Sequence, residues 1–125
     1  VIWVLILVGG AVGGVVRYGV TGVVQRRSAG DFPAGTLAVN LTGALAAGFV
    51  VGIVAGRGFD DSVVVWLTTG FLGGYTTFST WMVETNLAAA EGGPAGLRRA
   101  AANVGVTLVS GVALAYLGYW FGSMI

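Results

Sequence analysis

"GGYTTFST", Gly73 to Thr80, lies inside a stretch that is otherwise apolar enough to cross a membrane. Two glycines, a tyrosine and a run of hydroxyls around one phenylalanine are poor material for a plain lipid-facing helix. A break at this point frees backbone carbonyls at membrane depth, where each unpaired group costs several kcal/mol. Protein, water or an ion must then satisfy them. A hard cation such as Na⁺ prefers oxygen ligands, and freed carbonyls supply oxygen.

The rest of the chain sets that stretch in a membrane. Of 125 residues, 56% are hydrophobic and 9% charged, with 23 glycines and two prolines. Soluble domains carry about 25% charged residues, so this chain cannot cover a water-exposed surface. A net charge of +1 leaves no basic face for nucleic acid and no acidic tail. Cysteine and histidine are absent, which removes disulfides, thiolate and imidazole chemistry and nearly all zinc or haem sites. The opening from Val1 reads as a first span rather than a cleaved leader.

Charged clusters cut the chain into four apolar segments, with approximate spans at 1–24, 34–55, 62–90 and 97–122. Each meets the roughly 20 residues needed to cross about 30 Å of hydrocarbon, and none alternates as a barrel strand does. The expected fold is an all-α membrane protein with four transmembrane helices and a break in the third, one domain over residues 1–125. Four crossings put both termini on one side and the first and third loops on the other. Those loops carry Arg26, Arg27, Arg98 and Arg99, which biases them weakly toward the cytoplasm. Arg57 and the "RGFDD" loop face the terminal side. Small residues recur at helical spacing, at Gly9, Gly10, Gly13 and Gly14 and again at Gly43, Ala44, Ala47 and Gly48. They suit close helix packing, either within one unit or between subunits.

Polar residues at membrane depth need a reason. Arg17 in the first span either snorkels or sets a positive charge at the mouth of an anion path. Thr36 and Asn40 share a face of the second span, and Asn103, Thr107 and Ser110 make a stripe on the fourth. An isolated asparagine is as readily interhelical glue, and a lone hydroxyl often bonds its own backbone. Two donor-rich stripes without a carboxylate suit a path for something that accepts hydrogen bonds. Phe78 and Trp81 lie three apart; they are an ordinary packed pair or a pair whose ring edges meet an anion.

These residues resemble a known family. "GTLAVNLTGALAAG" (Gly35 to Gly48) followed by "GFLGGYTTFST" (Gly70 to Thr80) is similar to the CrcB/Fluc fluoride channels, as are "GGAVGGVVRY" (Gly9 to Tyr18) and "NVGVTLVSG" (Asn103 to Gly111). The resemblance implies an antiparallel dimer, with a second copy or a homologous partner subunit inserted in the opposite orientation. It implies a structural sodium ion held by the backbone carbonyls of Gly73 and Thr76. It also implies fluoride paths lined by Asn40, Phe78, Ser79, Trp81, Thr107 and Ser110, with Arg17 at the vestibule. Thr36, Thr77, Thr80 and Glu84 are further polar candidates. The implied activity is passive export of fluoride across the bacterial inner membrane, with lipid and fluoride as partners and no enzyme chemistry. Trp81 departs from the family's usual phenylalanine, which raises the alternative of one subunit in a heterodimer with an altered pore. A small multidrug-type transporter needs a carboxylate in the first span, where this chain has only Arg17. A non-transporting assembly subunit would not account for donor-only polar faces.

Overall fold

The computed structural model describes residues 1–57 and 61–125, the Asp61 side chain excepted. The expected loop Arg57–Asp61 therefore lies mostly outside the described residues. The chain is nearly all helix, with no strand among the described residues. Helices α1 (Ile2–Arg27), α2 (Ala34–Arg57) and α6 (Gly93–Ser123) are each long and apolar enough to cross a membrane. At 1.5 Å per residue, even the 24 residues of α2 reach about 36 Å, more than a hydrocarbon core. The protein is a multi-pass membrane protein.

The helical unit between α2 and α6 is segmented. It runs as α3 (Asp61–Val65), a π-helical stretch Trp66–Leu72, α4 (Gly73–Tyr75) and α5 (Phe78–Ala90). Between α4 and α5 the backbone is extended at Thr76 (φ −85°, ψ 161°) and Thr77 (φ −146°, ψ 124°). The π-helical stretch was not legible in the sequence; such segments are rare and concentrate at functional sites.

Glycine sets the packing. On α2, Gly48 and Gly52 stand four apart, and on α6 so do Gly118 and Gly122. A Cβ on Gly48 would strike the carbonyl oxygen of Ala115, and one on Gly118 that of Leu45. Backbone meets backbone along this seam, the mode small residues permit where apolar side chains gain nothing by leaving lipid. The α1 stripe acts likewise: a Cβ on Gly13 would strike the carbonyl of Phe71, and one on Gly74 that of Gly10. Gly9, Gly13, Gly43 and Gly48 thus pack within the chain, whereas Gly14 faces open space.

The interior is thin and partly polar. Val39 is fully buried, and Thr36 and Asn103 are each 2% exposed, while Trp3, Tyr18, Tyr116 and many valines face outward. At one end Arg99 pairs with Asp31 of the first loop at 3.4 Å and with Glu91 of the third. The first and third loops therefore share that end of the bundle. Gly92 and Gly93 carry φ of 74° and 70° at the turn into α6, a conformation that costs other residues a steric clash.

Candidate functional site

The extended residues Thr76 and Thr77 are held by side chains from three elements. Asn40 on α2 clamps the Thr77 backbone from both sides. Its Nδ2 donates to the Thr77 carbonyl at 2.9 Å, and its Oδ1 accepts from the Thr77 N–H at 2.9 Å. Arg17 on α1 donates from Nη1 to the Thr76 carbonyl at 3.2 Å. Thr77 caps α5 with its own hydroxyl, which accepts from the Thr80 N–H at 3.3 Å and donates to Thr80 Oγ1 at 2.9 Å. A capping threonine meets one of the orphan donors at a helix start. Tyr75 reaches Thr42 at 2.8 Å between hydroxyls.

This wiring redirects two carbonyls. In an unbroken helix the Thr77 N–H would bond the Gly73 carbonyl, and the Thr80 N–H that of Thr76. Here those donors go to Asn40 and to the Thr77 hydroxyl instead. Among the described residues no group of three or more His, Cys, Asp or Glu could hold a metal. A cation at this point would rest on neutral carbonyl oxygens such as those of Gly73 and Thr76, a donor set that suits a hard ion.

Two grooves flank the extended pair. One, of about 500 Å³, is lined by Asn40, Gly73, Thr76, Thr77, Phe78, Trp81 and Thr107 among others. The other, of about 600 Å³, is lined by Arg17, Thr21, Arg26, Thr36, Thr77 and Thr80 among others. Most residues singled out in the sequence thus gather around one point, although they come from every part of the chain. Ser79 is exposed on α5 and Ser110 half-buried on α6, and neither lines these grooves. Phe78 is 70% exposed and meets the nearly buried Trp81 edge-on, with ring centroids 5.6 Å apart at 73°.

Trp81 does not present its N–H to the groove. The indole Nε1 donates to the backbone carbonyl of Asn103 at 3.2 Å, tying α5 to α6. One turn along α5, the Thr85 hydroxyl donates to the Trp81 carbonyl at 2.8 Å and accepts from Asn103 Nδ2 at 2.9 Å. Glu84 Oε1 accepts from the buried Thr36 hydroxyl at 2.7 Å. Thr36 and Asn40 share a face as their spacing implies, yet they serve different partners. Thr85 escaped the sequence reading; its place four residues after Trp81 was the available signal.

Apolar helices packed around the extended Thr76 and Thr77, with Arg17 and Asn40 donating to their carbonyls, define a multi-pass membrane protein with a polar centre. Residues 4–119 match the model of the CrcB-like protein family, described as camphor resistance (CrcB). The chain is 41% identical to the fluoride-specific ion channel FluC 2 of Mycolicibacterium paratuberculosis over 99% of this chain and 96% of that protein. It is 42% identical to the fluoride-specific ion channel FluC of Nitratidesulfovibrio vulgaris, covering 98% and 97%. A similar protein of Symbiobacterium thermophilum, fluoride-specific ion channel FluC 1, is 42% identical over 96% of each chain. The chain belongs to the CrcB family.

Proposed function

We propose that this chain is a subunit of a passive, fluoride-selective channel that exports fluoride across the bacterial inner membrane. It is no enzyme: ion flow down a gradient makes and breaks no covalent bond. The observation that carries the reading is the groove beside the extended Thr76 and Thr77, which joins Asn40, Phe78, Trp81 and Thr107, in a chain about 41% identical to named fluoride channels over nearly its whole length.

Fluoride is small, strongly hydrated and only a hydrogen-bond acceptor. Hydroxyls such as Thr107 and the positive edge of Phe78 replace part of its water shell. Arg17 supplies positive charge where the second groove opens. In this reading the extended pair at Thr76 and Thr77 is a helix break at membrane depth, and two chains pack antiparallel about it. One chain brings two carbonyls, Gly73 and Thr76, short of a hard cation's usual six or more oxygens. A second copy raises the set to four, nearer that number, so a structural sodium ion fits better between subunits than within one. Such an ion fixes the break and adds positive potential near the anion path.

Trp81 supports a second reading, a heterodimer in which this chain's own pore is altered. Fluoride efflux from liposomes holding the purified chain alone separates the two. Efflux of fluoride but not chloride is the expected result. Silence rescued by a related second chain favours the heterodimer, and no fluoride flux from either preparation refutes the channel.

A further inference from the structure

A third cavity, of about 280 Å³, opens at the end of the bundle where the first and third loops meet. Its wall carries three carboxylates, Asp31, Glu84 and Glu91, against one guanidinium, Arg99. Asp31 and Glu91 are both engaged by Arg99 near the mouth. Glu84 and Asn103 lie deeper, and each holds a buried oxygen with no hydrogen-bond partner among the described residues: Glu84 Oε2 and Asn103 Oδ1.

The chemistry fixes which Asn103 atom is the orphan. The Thr85 hydroxyl proton goes to the Trp81 carbonyl, so Thr85 Oγ1 can only accept from Asn103. The amide must therefore turn its NH₂ to Thr85 and its oxygen away. Glu84 is fixed in the same manner, since the Thr36 hydroxyl occupies Oε1 and leaves Oε2 over. Two buried acceptors without donors, one of them on a residue 2% exposed, belong to side chains that line one acidic cavity. With three carboxylates against the single Arg99 guanidinium, already engaged by Asp31 and Glu91, an anion would meet net repulsion there. Leaving both oxygens bare would cost a desolvation penalty at each.

We propose that the floor of this cavity is a monovalent-cation site, with Glu84 Oε2 and Asn103 Oδ1 as protein ligands and water completing the shell. It is separate from the Gly73 and Thr76 carbonyls: those residues line the groove of about 500 Å³, which shares no lining residue with this cavity. One carboxylate and one amide oxygen suit a singly charged ion better than a divalent one, which draws more carboxylate. If the channel reading holds, the bound cation also offsets the Glu84 charge beside the anion path; the site itself does not depend on that reading.

The test counts ²²Na⁺ bound at equilibrium by the purified full-length chain in detergent. Glu84→Gln keeps an acceptor for Thr36 and removes the charge. Asn103→Leu removes the amide oxygen but leaves the backbone carbonyl that Trp81 uses. Each variant is expected to lose one sodium per chain while any carbonyl-held sodium remains. Wild-type sodium counts in both variants would mean that the cavity holds water or a proton only, and would overturn the proposal. Should either variant fail to fold, carbodiimide labelling of Glu84 in the wild-type chain, read by mass spectrometry, decides the matter. Sodium must slow labelling at Glu84, and an unchanged rate refutes the site. Neither readout involves fluoride flux, so failure of the site and failure of the channel reading stay distinct.

Discussion

Asn40→Ala tests the wiring of the extended pair most directly. The substitution deletes both bonds of the clamp, one to the Thr77 N–H and one to the Thr77 carbonyl, each 2.9 Å long in the native chain. Thr77 is 8% exposed, so water reaches it poorly. Each buried group left without a partner costs about 1–3 kcal/mol, and the pair about 2–6 kcal/mol. The Thr77 amide reports its own share, about 1–3 kcal/mol, as roughly 5- to 150-fold faster hydrogen exchange. Exchange at that amide in detergent or nanodiscs, read by NMR, is the assay. Asn40→Asp discriminates further: its carboxylate still accepts from the Thr77 N–H but sets an anionic oxygen against the Thr77 carbonyl. It should keep the amide protected and yet suppress fluoride flux. Wild-type exchange at Thr77 in Asn40→Ala would refute the clamp, and unchanged flux in Asn40→Asp would remove Asn40 from the conduction path.

Three further outcomes follow from the packing and the hydrogen bonds. Gly48→Ala drives a Cβ into the Ala115 carbonyl and should cost about 1–3 kcal/mol in denaturant unfolding. Gly14→Ala, where the space is open, should instead gain about 0.5–1 kcal/mol; equal effects at the two positions would contradict the seam. Trp81→Phe removes the indole bond to the Asn103 carbonyl and should lose about 0.5–1.5 kcal/mol of stability while fluoride flux persists. Flux falling to background would show that the indole serves conduction itself. Arg17→Met should abolish flux and loosen the Thr76 carbonyl, a charge-assisted bond of about 1.5–3 kcal/mol. Arg17→Lys should restore part of the flux by keeping the charge, and undiminished flux in Arg17→Met would exclude that role.

The membrane class was legible from composition because a chain with 9% charge has no other solvent. Charged residues also stand in the last turns of α1, at Arg26 and Arg27, and of α2, at Arg57. What resisted reading was pairing. Thr36 and Asn40 looked like one polar stripe, yet one helical turn takes Thr36 to Glu84 and Asn40 to Thr77. Spacing fixes which residues share a face of one helix, not which group on another helix stands opposite. The π-helical stretch was hidden for a similar reason. A seven-residue widening alters the face presented by everything after it, and no local propensity announces it.

Trp81 shows why a substitution that looks disruptive in sequence can sit quietly in structure. Indole adds bulk and a donor beside the groove proposed as the anion path, and both must go somewhere. The donor goes to a carbonyl inside α6, which, like any backbone carbonyl, has a second lone pair to offer beyond its helical bond. The bulk is 8% exposed and packs edge-on to Phe78, which remains 70% exposed. The larger ring therefore braces the exposed one instead of replacing it at the groove. That arrangement needs Asn103 held at the matching height on α6, and the Thr85 hydroxyl holds its side chain there. Trp81, Thr85 and Asn103 form one unit, so Trp81→Phe and Thr85→Val should be non-additive by more than the roughly 0.3–0.5 kcal/mol scatter of independent sites. Strict additivity in a double-mutant cycle would separate the tryptophan from that brace.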